Sequence, residues 1–228
     1  MTEKPLIIIS SRTGNTLAVG HAVCDALPGA VMMRPSEVPD DLTPYNPVLL
    51  GFWCDRGDAP EEILRIAPRL RNKTIGCFAT MGGDPEGEKS KAWMQKTSEK
   101  LVAMGEGNTL AETFLCRGRI DPEVFQRMTD MLGGTVSPER EAGRRLSETH
   151  PDRLDLDRAA QIFGGFFGGS WQKRPEDAIE RDRRKSKGLC LNRTAFCAFC
   201  VRFAASRYHE DLSESKPRPS GNNRRQHG

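Results

Sequence analysis

The first residues whose types and spacing suggest chemistry are Ser10-Ser11-Arg12-Thr13-Gly14-Asn15-Thr16. They follow the apolar run Leu6-Ile7-Ile8-Ile9 and precede a stretch of helical period, which puts them at a strand-to-helix turn. A phosphate group needs several donors at short range. A turn of small residues at a helix N-terminus supplies converging backbone N–H groups together with the positive end of the helix dipole. Ser11, Thr13 and Thr16 add hydroxyls, and Gly14 lets the backbone come close. Arg12 brings a cation that either pairs with a phosphate dianion or faces solvent. Two nucleotide-binding loops are excluded, because no Gly-x-x-x-x-Gly-Lys-Ser/Thr occurs and this turn lacks Gly-x-Gly-x-x-Gly.

Other chemistries find less material. Gly-x-Ser-x-Gly is absent, and of the four histidines His21 falls in a helical stretch while His209 and His227 lie near the C-terminus, so a Ser-His-Asp or His-metal site has few candidates. Cys190, Cys197, Cys200 and His209 have the spacing C-x6-C-x2-C-x8-H. The first interval is not that of a usual zinc knuckle and no second Cys-x-x-Cys pair exists, so small thiols in an apolar patch are expected rather than a metal. Cys24, Cys54, Cys77 and Cys116 are scattered through core-like segments and read as reduced thiols of a cytoplasmic protein. No apolar run approaches the roughly 20 residues that span a bilayer, and Met1-Thr2-Glu3-Lys4-Pro5 does not open a secretory signal.

The elements that must position the turn follow from periodicity. Strands are expected at 6–9, 30–33, 47–53, 74–80 and 111–116, and helices at 15–27, 61–70, 89–104, 121–131, 138–147 and 155–167. Strands and helices alternate through short connections, the pattern of a parallel sheet covered on both faces. The chain of 228 residues has room for one main core with something appended. Its formal net charge of +3 averages two unlike parts: residues 170–228 hold 14 Lys+Arg against 7 Asp+Glu, the rest 20 against 24. Residues 1–168 are therefore read as the folded, mildly acidic domain, and residues 169–228 as a basic, largely disordered tail. Phe196, Phe199 and Phe203 among its basic residues suit docking on a partner or an anionic surface, and no module for specific nucleic-acid binding is recognised.

Ser11-Arg12-Thr13-Gly14-Asn15-Thr16 resembles the Ser/Thr-x-Thr-Gly-x-Thr loop of the flavodoxins, which holds the terminal phosphate of FMN. The resemblance extends over about residues 5–167 and includes Thr113-Phe114-Leu115-Cys116-Arg117-Gly118-Arg119-Ile120-Asp121-Pro122 and Thr135-Val136-Ser137-Pro138-Glu139-Arg140. It implies an α/β fold with a doubly wound, five-stranded parallel sheet of order 2-1-3-4-5 and FMN as cofactor. By the same resemblance residues 11–16 hold the phosphate and Trp53 stacks on the isoalloxazine, with Cys54 and Asp55 following in the same loop. Thr80, Met81, Gly82 and Gly83 then approach the ring edge.

Three departures from the family pattern bear on chemistry. Nothing from Met81 to Lys89 is aromatic, Cys54 stands where glycine is frequent, and Arg12 sits in a loop that is commonly neutral. Asp55, Asp58 and Asp84 on the two ring loops either lend a negative field or serve turn geometry. The resemblance implies an electron carrier serving a redox partner protein, with no catalytic residue of its own. Two alternatives stay open: an NAD(P)H-dependent FMN or quinone reductase, and an accessory subunit of a flavin reductase such as a bilirubin reductase.

Overall fold

The computed structural model describes residues 3–168. The expectations for residues 169–228, including the fate of Cys190, Cys197 and Cys200 and the docking of the tail, lie outside the described residues. Leu6, Ile7 and Ile8 are fully buried in a strand, β1 (Lys4–Ile9), whose centre is covered on both faces and must therefore be apolar from Leu6 to Ile9. It is followed by α1 (Asn15–Ala26), β2 (Val31–Met33), β3 (Tyr45–Trp53), α2 (Glu61–Ile66), β4 (Thr74–Met81), α3 (Glu88–Ala103) and β5 (Thr109–Arg117). Three more helices close the chain: α4 (Pro122–Met131), α5 (Pro138–Ser147) and α6 (Arg153–Phe167).

All strand pairs are parallel and the sheet order is β2-β1-β3-β4-β5, the doubly wound arrangement expected from the sequence. Chain direction across the sheet reverses between β1 and β3. A crevice opens there beyond the carboxyl ends of the strands, where such sheets receive ligands. Strand alternation divides the core in two. Leu6, Ile8, Leu50 and Phe52 meet Ile63, Met94 and Leu101 on one face; Ile7, Leu49 and Phe78 meet Val19, Val23 and Phe163 on the other.

The elements differ from the expected spans in ways with physical causes. The helix expected over 61–70 stops at Ile66 and continues as a 3-10 turn, Ala67–Arg69, because Pro68 has no N–H to donate and its ring crowds the preceding turn. The fifth strand runs from Thr109 to Arg117, longer at both ends than its apolar centre, since its register with β4 continues through Met81↔Arg117. Among the described residues all four cysteines are free; burial pushes the Cys77 thiol up to about 12 and raises that of Cys116 as well, so both stay protonated packing groups.

Between β5 and α6 the chain makes an excursion through α4 and α5. Asp121 caps α4 by accepting from the N–H groups of Glu123 and Val124, Ser137 caps α5, and each helix begins with proline. The guanidinium groups of Arg140 and Arg144 lie over the Phe125 ring, at 5.4 and 5.8 Å. The excursion is tied where it leaves the sheet: Arg119 N–H donates to the His150 carbonyl (2.9 Å) and Ile120 N–H to Ser147 Oγ (3.1 Å). Met131, Leu132 and Leu146 stay exposed on its outer side.

Candidate functional site

The turn after β1 keeps its donors turned outward. Gly14 takes φ +89°, in the left-handed region where glycine carries no Cβ penalty. As N-cap it offers no side chain to the first N–H groups of α1, which have no intrahelical acceptor. Ser11 Oγ accepts from Leu17 N–H (3.2 Å) and Thr13 Oγ1 accepts from Asn15 Nδ2 (3.1 Å). Each hydroxyl is thus fixed through its lone pairs, which leaves its O–H to donate. Ser10, only 2% exposed, has no partner for its hydroxyl among the described residues. A buried hydroxyl without a partner costs about 1–3 kcal/mol, and a bound oxyanion would recover it. The N–H groups of Asn15 and Thr16, for which no capping side chain is present among the described residues, two donating hydroxyls and an orphaned buried third are a donor set that fits a phosphate.

Thr16 behaves differently from Ser11 and Thr13. It is buried, and its hydroxyl pairs with that of Thr80 at 2.9 Å, which joins the turn to the end of β4 instead of opening toward a ligand. Asn15 likewise works sideways, since its Nδ2 also donates to the Arg119 carbonyl (2.9 Å). The turn is therefore stitched to two neighbours while its mouth stays open.

Trp53 ends β3, half-buried, and the guanidinium carbon of Arg12 stands 5.9 Å from its ring centroid. A cleft of about 340 Å³ is lined by Ser11, Arg12 and Trp53 on one side and by Pro60, Glu61, Glu62 and Arg65 on the other. That volume lies within the range of small-molecule sites. Residues 80–83 do not line this cleft. They are reached through neighbours: Cys54 N–H donates to the Thr80 carbonyl (3.1 Å) and Gly118 N–H to that of Met81 (2.8 Å). At Gly82 any Cβ would come within 2.7 Å of the Ile120 side chain, so the loop after β4 lies against the segment that follows β5.

The loop after β3 closes as a tight turn. Asp55 and Asp58 exchange backbone hydrogen bonds at 2.9 Å, and Arg56 and Gly57 between them both have positive φ (+51° and +86°), as a type I′ turn requires. Trp93 Nε1 of α3 donates to the Gly57 carbonyl (2.9 Å), and Lys100 of the same helix pairs with Asp58. Burial raises the Asp58 carboxyl, but hydrogen bonds from Lys100 and the Ala59 N–H outweigh it and hold the group below the usual carboxylate range. Burial raises the Cys54 thiol despite a bond from the Gly57 N–H, with Asp55 and Asp58 adding to the rise, so Cys54 is neutral at pH 7.

The acidic groups of these loops do not form a bare negative field. Asp55 stands 3.5 Å from Arg56, Asp58 pairs with Lys100, and Asp84 lies 3.5 Å from Arg117. Sequence reading had no means to see the last two cations, which come from distant elements. It also missed Pro60, Glu61, Glu62 and Arg65 in the lining of the cleft. Ser10, which opens the hydroxyl-rich run, was not assigned to the cofactor from the sequence.

The flavodoxin domain family model matches residues 6–164 of the chain. A flavodoxin-like domain-containing protein, BilS, of Clostridioides difficile is 27% identical over 169 residues, which cover 70% of this chain and 93% of that protein. Among solved structures, flavodoxin 2 of Bacillus cereus is similar at 17% identity with a TM-score of 0.48, covering 73% of this chain and 98% of that one. The two-electron reduced flavodoxin of Megasphaera elsdenii is similar at 19% identity with a TM-score of 0.42, over 68% and 97%.

Proposed function

The chain belongs to the flavodoxin domain family, and on that premise we propose that it holds FMN and carries electrons between that flavin and a partner protein. The observation that carries the reading is that Ser11 and Arg12 of the donor-rich turn line one cleft of about 340 Å³ together with Trp53, with Thr13 and the start of α1 following directly in the same turn. In this reading the turn binds the phosphate through N–H groups and hydroxyls, and Ser10 supplies a further O–H from beneath. Trp53 offers its face to the flavin ring. Cys54 and Asp55, in the fastened turn beside it, keep the Trp53 end of the cleft rigid. Thr80 ties the floor of the turn to β4, and Met81, Gly82 and Gly83 bring backbone groups toward the ring edge. Once bound, FMN supplies the electron chemistry, and the protein contributes position, charge and access. No side chain is asked to act as acid or base.

Residues 1–168 are proposed to suffice for holding the cofactor, with residues 169–228 as a basic appendage that serves docking. The four free cysteines of the described residues suit a reducing, cytoplasmic setting. Among the described residues no helix is long and apolar enough to cross a membrane. The purified protein is expected to be yellow and to release FMN when denatured. A colourless protein that ignores added FMN overturns the reading. Steady oxidation of NAD(P)H with only a small acceptor present would replace the carrier by a reductase.

A further inference from the structure

Arg12 belongs to the phosphate turn by sequence and to Trp53 by contact. Its guanidinium carbon is 5.9 Å from the Trp53 ring centroid, and both side chains line the same cleft together with Ser11. Among the described residues the Arg12 guanidinium has this aromatic face as its contact and no carboxylate within ion-pair distance, although Glu61 and Glu62 line the opposite wall. An exposed cation on an aromatic ring is weakly held, and a bond from guanidinium to a phosphate dianion is stronger. The two places open to Arg12 are therefore unequal once an anion arrives.

We propose that Arg12 is a phosphate-released cover for Trp53, and so a determinant of the choice between phosphorylated and unphosphorylated flavin. Without a ligand the guanidinium rests on the ring face that the flavin would take. A phosphate seated in the turn draws the guanidinium to itself and bares Trp53. FMN, which carries that phosphate, uncovers its own stacking surface. Riboflavin has no phosphate and must displace the cation unaided. Arg12 is thus a positioning residue that acts through Trp53 as well as on the anion, and the inference rests on the FMN reading above.

The test uses the full chain with any flavin removed. Inorganic phosphate added in a phosphate-free buffer should change tryptophan emission in the wild type, with no change in Arg12→Ala or in Trp53→Phe. Arg12→Ala should weaken FMN binding and tighten riboflavin binding about two- to fivefold, since the exposed cation–π contact no longer competes. A merely structural role for Arg12 would weaken both ligands together. The cover is overturned if riboflavin binds the Arg12→Ala variant no better than the wild type, or if phosphate taken up by the wild type, followed by calorimetry, leaves emission unchanged. If the wild type binds neither FMN nor phosphate, the flavin reading itself falls and the cover with it. FMN bound by a wild type whose riboflavin affinity does not respond to Arg12→Ala removes the cover alone.

Discussion

The two loops that meet at Trp53 are built on opposite plans. The turn after β3 satisfies itself: Asp55 and Asp58 exchange backbone bonds, and α3 fastens Gly57 and Asp58 through Trp93 and Lys100. Among the described residues the turn after β1 leaves an N-cap without a capping side chain, a buried hydroxyl without a partner and an arginine set against an aromatic face with no carboxylate at ion-pair distance. Both contain a glycine in the left-handed region, Gly14 and Gly57, and at neither would a Cβ meet an atom within 4 Å. Backbone strain is thus the same in kind at the two positions, while the freedom to relieve it is not. A loop that binds an anion must keep donors in reserve, and that reserve makes it locally compliant. A loop that presents a ring has to be stiff before the ligand comes.

Substituting both glycines by valine would break this contrast most directly. Valine at positive φ is strained by about 1–3 kcal/mol. In the turn after β1 the strain is relieved by rearrangement, so Gly14→Val should lose on the order of 100-fold in FMN affinity with little change in thermal midpoint. In the fastened turn it is retained, so Gly57→Val should lower unfolding free energy by about 1–3 kcal/mol. Titration calorimetry and denaturant melts of the two variants check this. A Gly14→Val protein less stable than Gly57→Val would refute the contrast.

A smaller effect, of split sign, is expected at Ser10. In the flavin-free protein Ser10→Ala removes a buried hydroxyl that has no partner among the described residues, so stability should hold or rise slightly, whereas FMN affinity should fall about fivefold with the lost bond. Loss of stability without loss of affinity would show the hydroxyl to be structural. The smallest effect concerns Asp58. Its folded carboxyl is held below the ordinary value of about 3.9, so its contribution is present above that pH and disappears as pH falls through the folded value. The gap in denaturant midpoint between wild type and Asp58→Asn should be small at pH 7, because the pair with Lys100 is partly exposed, and should close as pH falls through the lowered folded value. A gap that widens in acid would contradict this assignment.

How far the molecule could be read from its residues depends on how local each signal is. Leu6 to Ile9 had to be a strand buried on both faces, and the small residues after it had to be a turn, because both facts lie within one short stretch. Trp53, singled out through the family resemblance, does stand at the end of β3. The early end of α2 was also local: Pro68 stood in the expected helix, and its missing N–H decided the matter. Other features were beyond reach because they join residues far apart in the chain. Arg12 meets Trp53 across 41 positions, Asp58 meets Lys100 across 42 and Asp84 meets Arg117 across 33, and periodicity says nothing of such pairs. The charge near the site stayed open in the sequence for this reason, since the carboxylates were visible and their cations were not. Thr16 shows the same limit within a motif: hydroxyls that look equivalent in the sequence face different partners once Thr80 arrives from β4.

The tie at Arg119, Ile120, Ser147 and His150 gives the α4–α5 excursion two fixed ends, and Asn15 pins one of them to the turn after β1. What lies beyond a closed tie can be lengthened, trimmed or replaced at little cost, because closure entropy grows only slowly with the length enclosed. The molecule therefore keeps its greatest latitude for divergence right next to the turn after β1. Across related chains the size of this stretch should drift freely while the tie itself persists.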